Sequence, residues 1–299
     1  LRPEREKSII PSMDKRQVFH PPNPLIFIIF MAILAWISAC QPLTPITSTP
    51  TSPPPISTTT NTPWSALTVP PSTPEKCTET RGQVQGHVFD SVALPSFQIY
   101  LPPCYDSNNE KHYPILYLLH GANYADDQWI RLGIEDEAPF YIIVMPHEKY
   151  SLKSIDETEF GRIFIEEFIP YIDKNYQTLT NTKYRAIGGL SRGGGWAIHY
   201  GLTHWGTFGS FGAHSPAIFH QDYTKLDDWL EKIPTDNLPR IYIDTGDKDP
   251  DYIKIAAFSS LLAEKGIPHK WRLYAGMHDE VYWRTHLPEY LDWYGEAWK

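Results

Sequence analysis

The residues with the clearest capacity for chemistry lie in the segment 189–193, whose sequence is GLSRG. The apolar stretch before it reads as a strand, and the segment after it reads as the start of a helix. A G-x-S-x-G motif in this context is typical of a nucleophile elbow, in which the serine occupies a sharp turn and the glycines let backbones approach closely. The following helix would direct N–H groups towards an oxyanion. We therefore predict that Ser191 is a nucleophile; the alternative is a glycine-rich turn with a solvated serine.

A serine hydroxyl needs a base within hydrogen-bond reach, and a carboxylate orients that base. Two apolar runs downstream, 240–244 and 270–274, read as strands. Asp249 and His278 lie in the loops after them, in the order Ser, Asp, His that an α/β-hydrolase requires. Such loops, beyond the carboxyl ends of parallel strands, carry the active sites of open sheets. We predict that His278 takes the serine proton and that Asp249 orients the imidazole, with Asp247 as the alternative acid.

The aspartates at 247, 249 and 251 also have the spacing that opens a calcium-binding loop. That loop needs Gly at its sixth position and Glu at its twelfth, where this chain has Tyr252 and Phe258. No metal site is predicted.

A further apolar strand, 113–119, runs into the sequence HGAN at 120–123. In an α/β-hydrolase the loop after this strand supplies one backbone N–H of the oxyanion hole, and the residue after the nucleophile supplies the other. We assign the two donors to the N–H groups of Ala122 and Arg192; for His120-Gly121 the alternative is a plain strand-ending turn. The Arg192 side chain could hold an anionic substrate group, but pairing with a surface carboxylate is the favoured interpretation.

Three of these segments together resemble the putative esterase family of α/β-hydrolases: 113–121 (YPILYLLHG), 188–194 (GGLSRGG) and 276–278 (GMH), with Trp283 five residues further on. The family includes feruloyl and acetylxylan esterases, S-formylglutathione hydrolases, enterochelin esterases and mycolyltransferases. The resemblance covers about residues 80–299, with Cys104 as a departure where the family often carries glycine. It implies hydrolysis of carboxylic esters without a cofactor, and it leaves the acyl group and the alcohol open.

The expected fold is α/β: a three-layer sandwich with a mostly parallel sheet and an antiparallel N-terminal hairpin formed by 84–89 and 97–101. Little sequence separates the nucleophile from the acid, so we expect no large cap domain and an open cleft. Four aromatic residues near the predicted oxyanion and histidine loops are candidates for lining that cleft: Tyr124, Trp129, Tyr282 and Trp283.

The first 40 residues are predicted to be a lipoprotein-type signal peptide. Lys15 and Arg16 precede an apolar stretch that is too short to span a bilayer comfortably, and the sequence ISAC at 37–40 resembles a bacterial lipobox. We expect Cys40 to be lipidated and to attach the protein to a membrane outside the cytoplasm. An uncleaved anchor and an ordinary signal peptide are the alternatives, and translation could begin at Met13.

Residues 41–76 are predicted to be an extended linker, because 25 of these 36 residues are Pro, Thr or Ser. The catalytic domain is expected at 77–299. Cys77 and Cys104 would then both be exported, and the predicted hairpin brings their surroundings together, so a disulfide between them is expected; the alternative is two free thiols.

The formal charge of the chain is −9, and the 21 basic and 32 acidic residues after position 40 give −11. With no basic patch, nucleic-acid binding is disfavoured. The residues predict a surface-anchored serine esterase. The resemblance to the esterase family, together with the predicted export, implies that it acts on acetyl or feruloyl groups linked to carbohydrate. The alternatives are a siderophore esterase, an acyltransferase or a peptidase on the same fold, and a non-catalytic binding lipoprotein.

Overall fold

The computed structural model describes residues 77–137, 139–149 and 159–299. The predicted signal peptide with Cys40 and the predicted linker 41–76 lie outside these residues. All of the described residues belong to the compact unit Val69–Lys299.

Eight described strands form one sheet: β1 Gln83–Val88, β2 Ser96–Leu101, β3 Ile115–Leu119, β4 Ile142–Pro146, β5 Arg185–Leu190, β6 Ser210–His214, β7 Arg240–Gly246 and β8 Lys270–Tyr274. Their order in the sheet is β1-β2-β4-β3-β5-β6-β7-β8. Strand β2 pairs with β1 on one side and with β4 on the other, both times antiparallel, and the remaining neighbours are all parallel. The predicted sheet with an antiparallel N-terminal hairpin is confirmed.

The central strands are continuous apolar runs because helices cover both of their faces. Every residue of β3 and β4 is buried, for example. The helices are α1 Gln128–Leu132, α2 Glu159–Ile163, α3 Ile169–Asn175, α4 Arg192–Thr203, α5 Leu226–Lys232, α6 Tyr252–Glu264 and α7 Glu280–Glu296. A π-helical turn, Phe164–Phe168, joins α2 to α3.

Two hydrophobic cores lie on the two faces of the sheet. The larger one packs α2 to α6 against the sheet and includes Phe164, Trp196 and Phe258. The second one packs α1 and α7 against the other face, through residues such as Trp129 and Tyr294. This arrangement is the predicted three-layer sandwich, and the fully described stretch between Ser191 and Asp249 contains no inserted cap domain.

A disulfide joins Cys77 to Cys104, with 5.7 Å between their Cα atoms. It lies beyond the end of the hairpin where Gln83 pairs with Leu101. The disulfide thus ties Cys77, the first described residue, to the segment that follows β2. Among the described helices, none is long and apolar enough to cross a membrane.

Candidate active site

Ser191 lies at the turn between β5 and α4, with φ 53° and ψ −117°. Two glycines allow the backbone to form this tight turn. A Cβ atom on Gly189 would lie 2.3 Å from the carbonyl carbon of Gly193, and a Cβ atom on Gly193 would lie 2.2 Å from the carbonyl oxygen of Leu119. Since real Cβ atoms do not approach other heavy atoms so closely, both positions require glycine, as the motif predicts.

The three residues predicted to form a catalytic triad lie within hydrogen-bond distance of one another. His278 Nε2 is 2.9 Å from Ser191 Oγ, and His278 Nδ1 is 2.8 Å from Asp249 Oδ2. The alternative acid, Asp247, does not reach the imidazole; its Oδ1 accepts a hydrogen bond of 2.9 Å from the Gly276 N–H. Asp247 therefore holds the loop that carries His278, while Asp249 contacts the histidine itself.

The Asp249 carboxylate is buried, yet its environment favours the charged form. Burial by itself would raise its pKa, but the hydrogen bond with His278 and the one from the Asp251 N–H, 2.8 Å long, outweigh that effect. The resulting pKa of Asp249 lies below its usual value. A carboxylate that stays ionised can orient the imidazole and stabilise an imidazolium.

The loop after β3 lies against the nucleophile. A Cβ atom on Gly121 would lie 3.6 Å from Ser191 Cβ, and the Gly121 N–H donates to Gln128 Oε1 at 2.8 Å. Gln128 is completely buried, and its Nε2 donates to Glu280 Oε1 at 3.3 Å. The glutamine thus links the loop that carries Ala122 to the first residue of α7.

His120, in the same loop, is buried and held in one tautomer. Its Nε2 accepts a hydrogen bond of 2.9 Å from the Glu148 N–H, so its Nδ1 is protonated and donates to the Gly121 carbonyl oxygen, 2.8 Å away. Burial lowers the pKa of His120, which keeps the ring neutral. The hydrogen bond from Glu148 connects the end of β3 to the segment after β4.

The Arg192 side chain pairs with Glu148 in a bidentate arrangement, with Nη2–Oε1 at 2.6 Å and Nε–Oε2 at 2.8 Å. The guanidinium also lies 5.3 Å from the centre of the Phe219 ring. The predicted pairing with a carboxylate is therefore present, but its location on the surface is wrong, because Glu148 is buried. The bidentate pair with this buried carboxylate fixes the Arg192 side chain beside the nucleophile.

The interpretation of the aromatic residues as cleft-lining is wrong for three of the four. Trp129 is buried, and its Nε1–H donates to the Leu119 carbonyl oxygen. Tyr282 is buried and donates to Asp244 Oδ2 at 2.6 Å. Trp283 is also buried, with its ring edge-on to His278 at 5.1 Å.

Tyr124 is the exception among these four aromatic residues. Its side chain is 42% exposed, and the Arg131 guanidinium lies 5.3 Å from the centre of its ring. It therefore remains a candidate for substrate contact.

Two polar residues beside the site carry no signal in the sequence: Gln128 and Glu148. Their partners lie far along the chain, since Gln128 contacts a residue 152 positions away and Glu148 one that is 44 positions away. No local spacing signals such contacts. In the part of the chain that the structure describes, no three His, Cys, Asp or Glu side chains are grouped closely enough to hold a metal ion.

Comparison with known proteins places this site in a family. Residues 94–294 match the family described as putative esterase. The chain belongs to that family. It is 30% identical to an esterase of Mycobacterium tuberculosis over 166 residues, which are 51% of this chain and 34% of that protein. It is also 30% identical over 135 residues to an endo-1,4-beta-xylanase/feruloyl esterase of Xylanibacter ruminicola, covering 38% of this chain and 19% of that protein.

The alignment thus spans about a third of the length of the mycobacterial esterase. Among solved structures, a ferulic acid esterase superposes with a TM-score of 0.65 at 26% identity, over 73% of this chain and all of that one. A fluorophosphonate-binding serine hydrolase of Staphylococcus aureus superposes with a TM-score of 0.64 at 19% identity, over 71% of this chain and 98% of that one, and shares the fold. Residues 94–294 of this family member are a carboxylic-ester hydrolase domain with the α/β-hydrolase fold.

Proposed function

We propose that the protein hydrolyses carboxylic esters through an acyl-enzyme intermediate on Ser191. The observation that carries this proposal is the hydrogen-bonded chain from Ser191 through His278 to Asp249, at a turn whose glycines admit no side chain. A serine, a neutral imidazole and an ionised carboxylate in this order are the groups that acyl transfer needs.

In the proposed mechanism, Ser191 Oγ attacks the ester carbonyl carbon while His278 Nε2 takes the serine proton. The carbonyl oxygen becomes an oxyanion, which the N–H groups of Ala122 and Arg192 stabilise. His278 then gives its proton to the leaving alcohol as the acyl-enzyme forms. Water attacks the acyl-enzyme with His278 as the base, and the acid is released.

For the substrate we propose an acetyl or feruloyl ester linked to carbohydrate. Two relatives support this: the ferulic acid esterase structure, and the curated protein whose name combines a xylanase with a feruloyl esterase. The absence of a cap between Ser191 and Asp249 would leave room for a polymer. The exposed ring of Tyr124 would suit stacking against an aromatic acyl group.

We further propose that lipidation of Cys40 anchors the enzyme outside the cytoplasm, where such polymers occur. The support is the sequence ISAC at 37–40 and the Pro/Thr/Ser-rich stretch that follows it. Mass spectrometry of the protein purified from membranes should find a diacylglyceryl cysteine at position 40, and a mature protein that keeps residues 1–39 would contradict it.

The test of the esterase is labelling by a fluorophosphonate probe together with turnover of p-nitrophenyl acetate, methyl ferulate and acetylated xylan. The purified protein should label and should turn over at least one ester, and Ser191→Ala should lose both activities. Thr203→Ser serves as a matched control, because this residue lies at the far end of α4 and keeps a hydroxyl. Folded wild-type protein that neither labels nor turns over any ester would contradict the proposal.

A further inference from the structure

A groove outside the active site lies between the edge strand β1 and the C-terminal end of α3. Its volume is about 430 Å³, within the range of ~300–1,000 Å³ that small-molecule sites occupy. Polar and aromatic side chains provide most of its lining: Gln83, Gln85, Tyr105, Asp106, Asn175 and Tyr176.

The groove and the triad lie at opposite ends of the strands. Ser191, Asp249 and His278 follow the carboxyl ends of parallel strands. Because β2 runs antiparallel to β4, its last residue Leu101, which lines the groove, lies at the level of the amino ends of the parallel strands. A molecule held in the groove would therefore leave the nucleophile open.

Two glutamines on the edge strand present unused hydrogen-bonding groups. Gln83 and Gln85 alternate with Val84, so they share one face of β1, and both are exposed. Neither side chain makes a hydrogen bond to any residue in the described part of the chain. A carboxamide offers both donors and an acceptor, which matches sugar hydroxyl groups that also donate and accept.

Two tyrosine rings and a disulfide-bonded loop complete the groove. The Tyr176 hydroxyl lies 3.2 Å from His87 Nε2, and the Tyr105 hydroxyl accepts a hydrogen bond of 3.2 Å from the Gln177 N–H. The Cys77–Cys104 disulfide immediately precedes Tyr105 and restrains its loop. Fixed rings of this kind can pack against the apolar face of a sugar without further loss of conformational freedom.

The charge of the lining favours a neutral ligand. Asp106 is the one charged residue among the groove-lining residues, and the sequence after position 40 has a net charge of −11. Acidic polymers would be repelled.

We propose that this groove binds a neutral polysaccharide chain and holds the enzyme on the polymer while the triad acts elsewhere along it. The binding itself is independent of the proposed esterase function, and only the benefit to catalysis rests on that function.

The experiment measures binding of soluble xylan, stripped of its esters by alkali, to the purified full chain by affinity gel electrophoresis. Wild-type protein should be retarded, and Gln83→Ala/Gln85→Ala should bind about tenfold more weakly, as expected from the loss of two hydrogen-bonding side chains. Asn237→Ala removes an exposed carboxamide outside the groove and should bind like wild type. Polygalacturonate, an acidic polymer, should not retard the protein.

Turnover of p-nitrophenyl acetate by the same proteins separates this proposal from the esterase. All three should turn over equally, which also shows that the double variant is folded. The groove proposal is overturned if wild type turns over esters without binding xylan, or if the double variant binds as tightly as wild type. Xylan binding without any ester turnover would instead contradict the esterase proposal and would still support the groove proposal.

Discussion

At the scale of single residues, the backbone of Ser191 is the most constrained feature of the site. Its φ of 53° lies in a region that few residues other than glycine occupy. The hydrogen bond from its N–H to the His214 carbonyl oxygen, 3.0 Å long, and the close packing of Gly189 against Gly193 maintain this conformation. Strain of this kind is common where a nucleophile must stand clear of its neighbours.

A methyl group added beside the nucleophile should disrupt the elbow. Gly193→Ala places a Cβ atom 2.2 Å from the Leu119 carbonyl oxygen, so β3 and α4 must move apart. We expect the free energy of unfolding to fall by about 1–3 kcal/mol and kcat to drop more than 100-fold. Urea denaturation and p-nitrophenyl acetate turnover measure the two effects.

The matched control for this substitution is Gly206→Ala, where the added Cβ atom meets no atom within 4 Å. It should leave stability and kcat near wild-type values. If Gly193→Ala behaved like this control, the steric account of the elbow would be wrong.

The two candidate acids should respond differently to neutralisation. Asp249→Asn removes the charge that faces His278 Nδ1 and favours the wrong tautomer, so kcat should fall by about 10³–10⁴-fold. Asp247→Asn keeps an oxygen that can accept from the Gly276 N–H and should lower kcat less than tenfold. Steady-state kinetics on one soluble ester compare kcat in the two variants. Equal losses in the two variants would contradict the assignment of Asp249.

At the scale of elements, Gln128 joins the loop after β3 to the start of α7, and so joins the proposed oxyanion donor Ala122 to the histidine loop. Gln128→Leu leaves the Gly121 N–H without its acceptor. We expect kcat to fall about 10- to 100-fold with KM little changed, because the contribution of an oxyanion donor depends on its position.

A control at the other end of this link is Glu280→Gln, which keeps an oxygen that can accept from Gln128 Nε2 and should change kcat less than threefold. If Gln128→Leu lowers the melting temperature but leaves kcat intact, the glutamine is merely structural.

The link between β3 and β4 through His120 should depend on pH. Burial lowers the pKa of His120 below the value of ~6.5 that it has in the unfolded chain. As the pH falls below ~6.5, the unfolded chain therefore binds more protons than the folded chain, and the stability contributed by the neutral ring is lost. His204 and His286, whose pKa values are also lowered by burial, add to the same slope.

Urea denaturation at pH 7.5 and pH 5.5 measures this effect. Wild type should lose stability between the two values, and His120→Asn, which cannot titrate, should lose less. A variant that keeps the full wild-type slope would show that His120 does not contribute.

The elements differ in how far the sequence alone could predict them. The triad was predictable because each member follows its own apolar strand, so chain order and strand ends suffice to find it. Asp249 and Asp247 could not be separated, since a two-residue shift in one loop decides which carboxylate reaches the imidazole. Trp129, Tyr282 and Trp283 do not line the cleft, because a position next to a catalytic loop in the sequence does not reveal which face of an element a ring occupies.

At the scale of the whole molecule, the two cores place helices on both faces of the sheet, and the N-terminal hairpin extends it at one edge. The alternation of apolar strands with helical segments predicts this architecture directly. The groove beside β1 was not predictable, because it forms only when the edge strand, α3 and the loop after Cys104 come together.

The disulfide should stabilise the domain without affecting catalysis. Cys77 and Cys104 are 27 positions apart, and closing a loop of this size contributes about 3.5 kcal/mol in the chain-entropy description. Cys77→Ala/Cys104→Ala should lose about 2–4 kcal/mol of unfolding free energy while kcat stays within twofold of wild type. Reduction with dithiothreitol should reproduce the loss in wild type only. Unchanged stability after reduction would contradict a structural role for this bond.

The most direct measurement of the central claim is rapid-quench mass spectrometry of the enzyme during turnover of p-nitrophenyl acetate. Peptide mapping should find one acetyl group on the peptide that contains Ser191, and Asp249→Asn should form this adduct far more slowly. Turnover that persists in Ser191→Ala, or an acetyl group that maps to another residue, would contradict the role of Ser191 as the nucleophile.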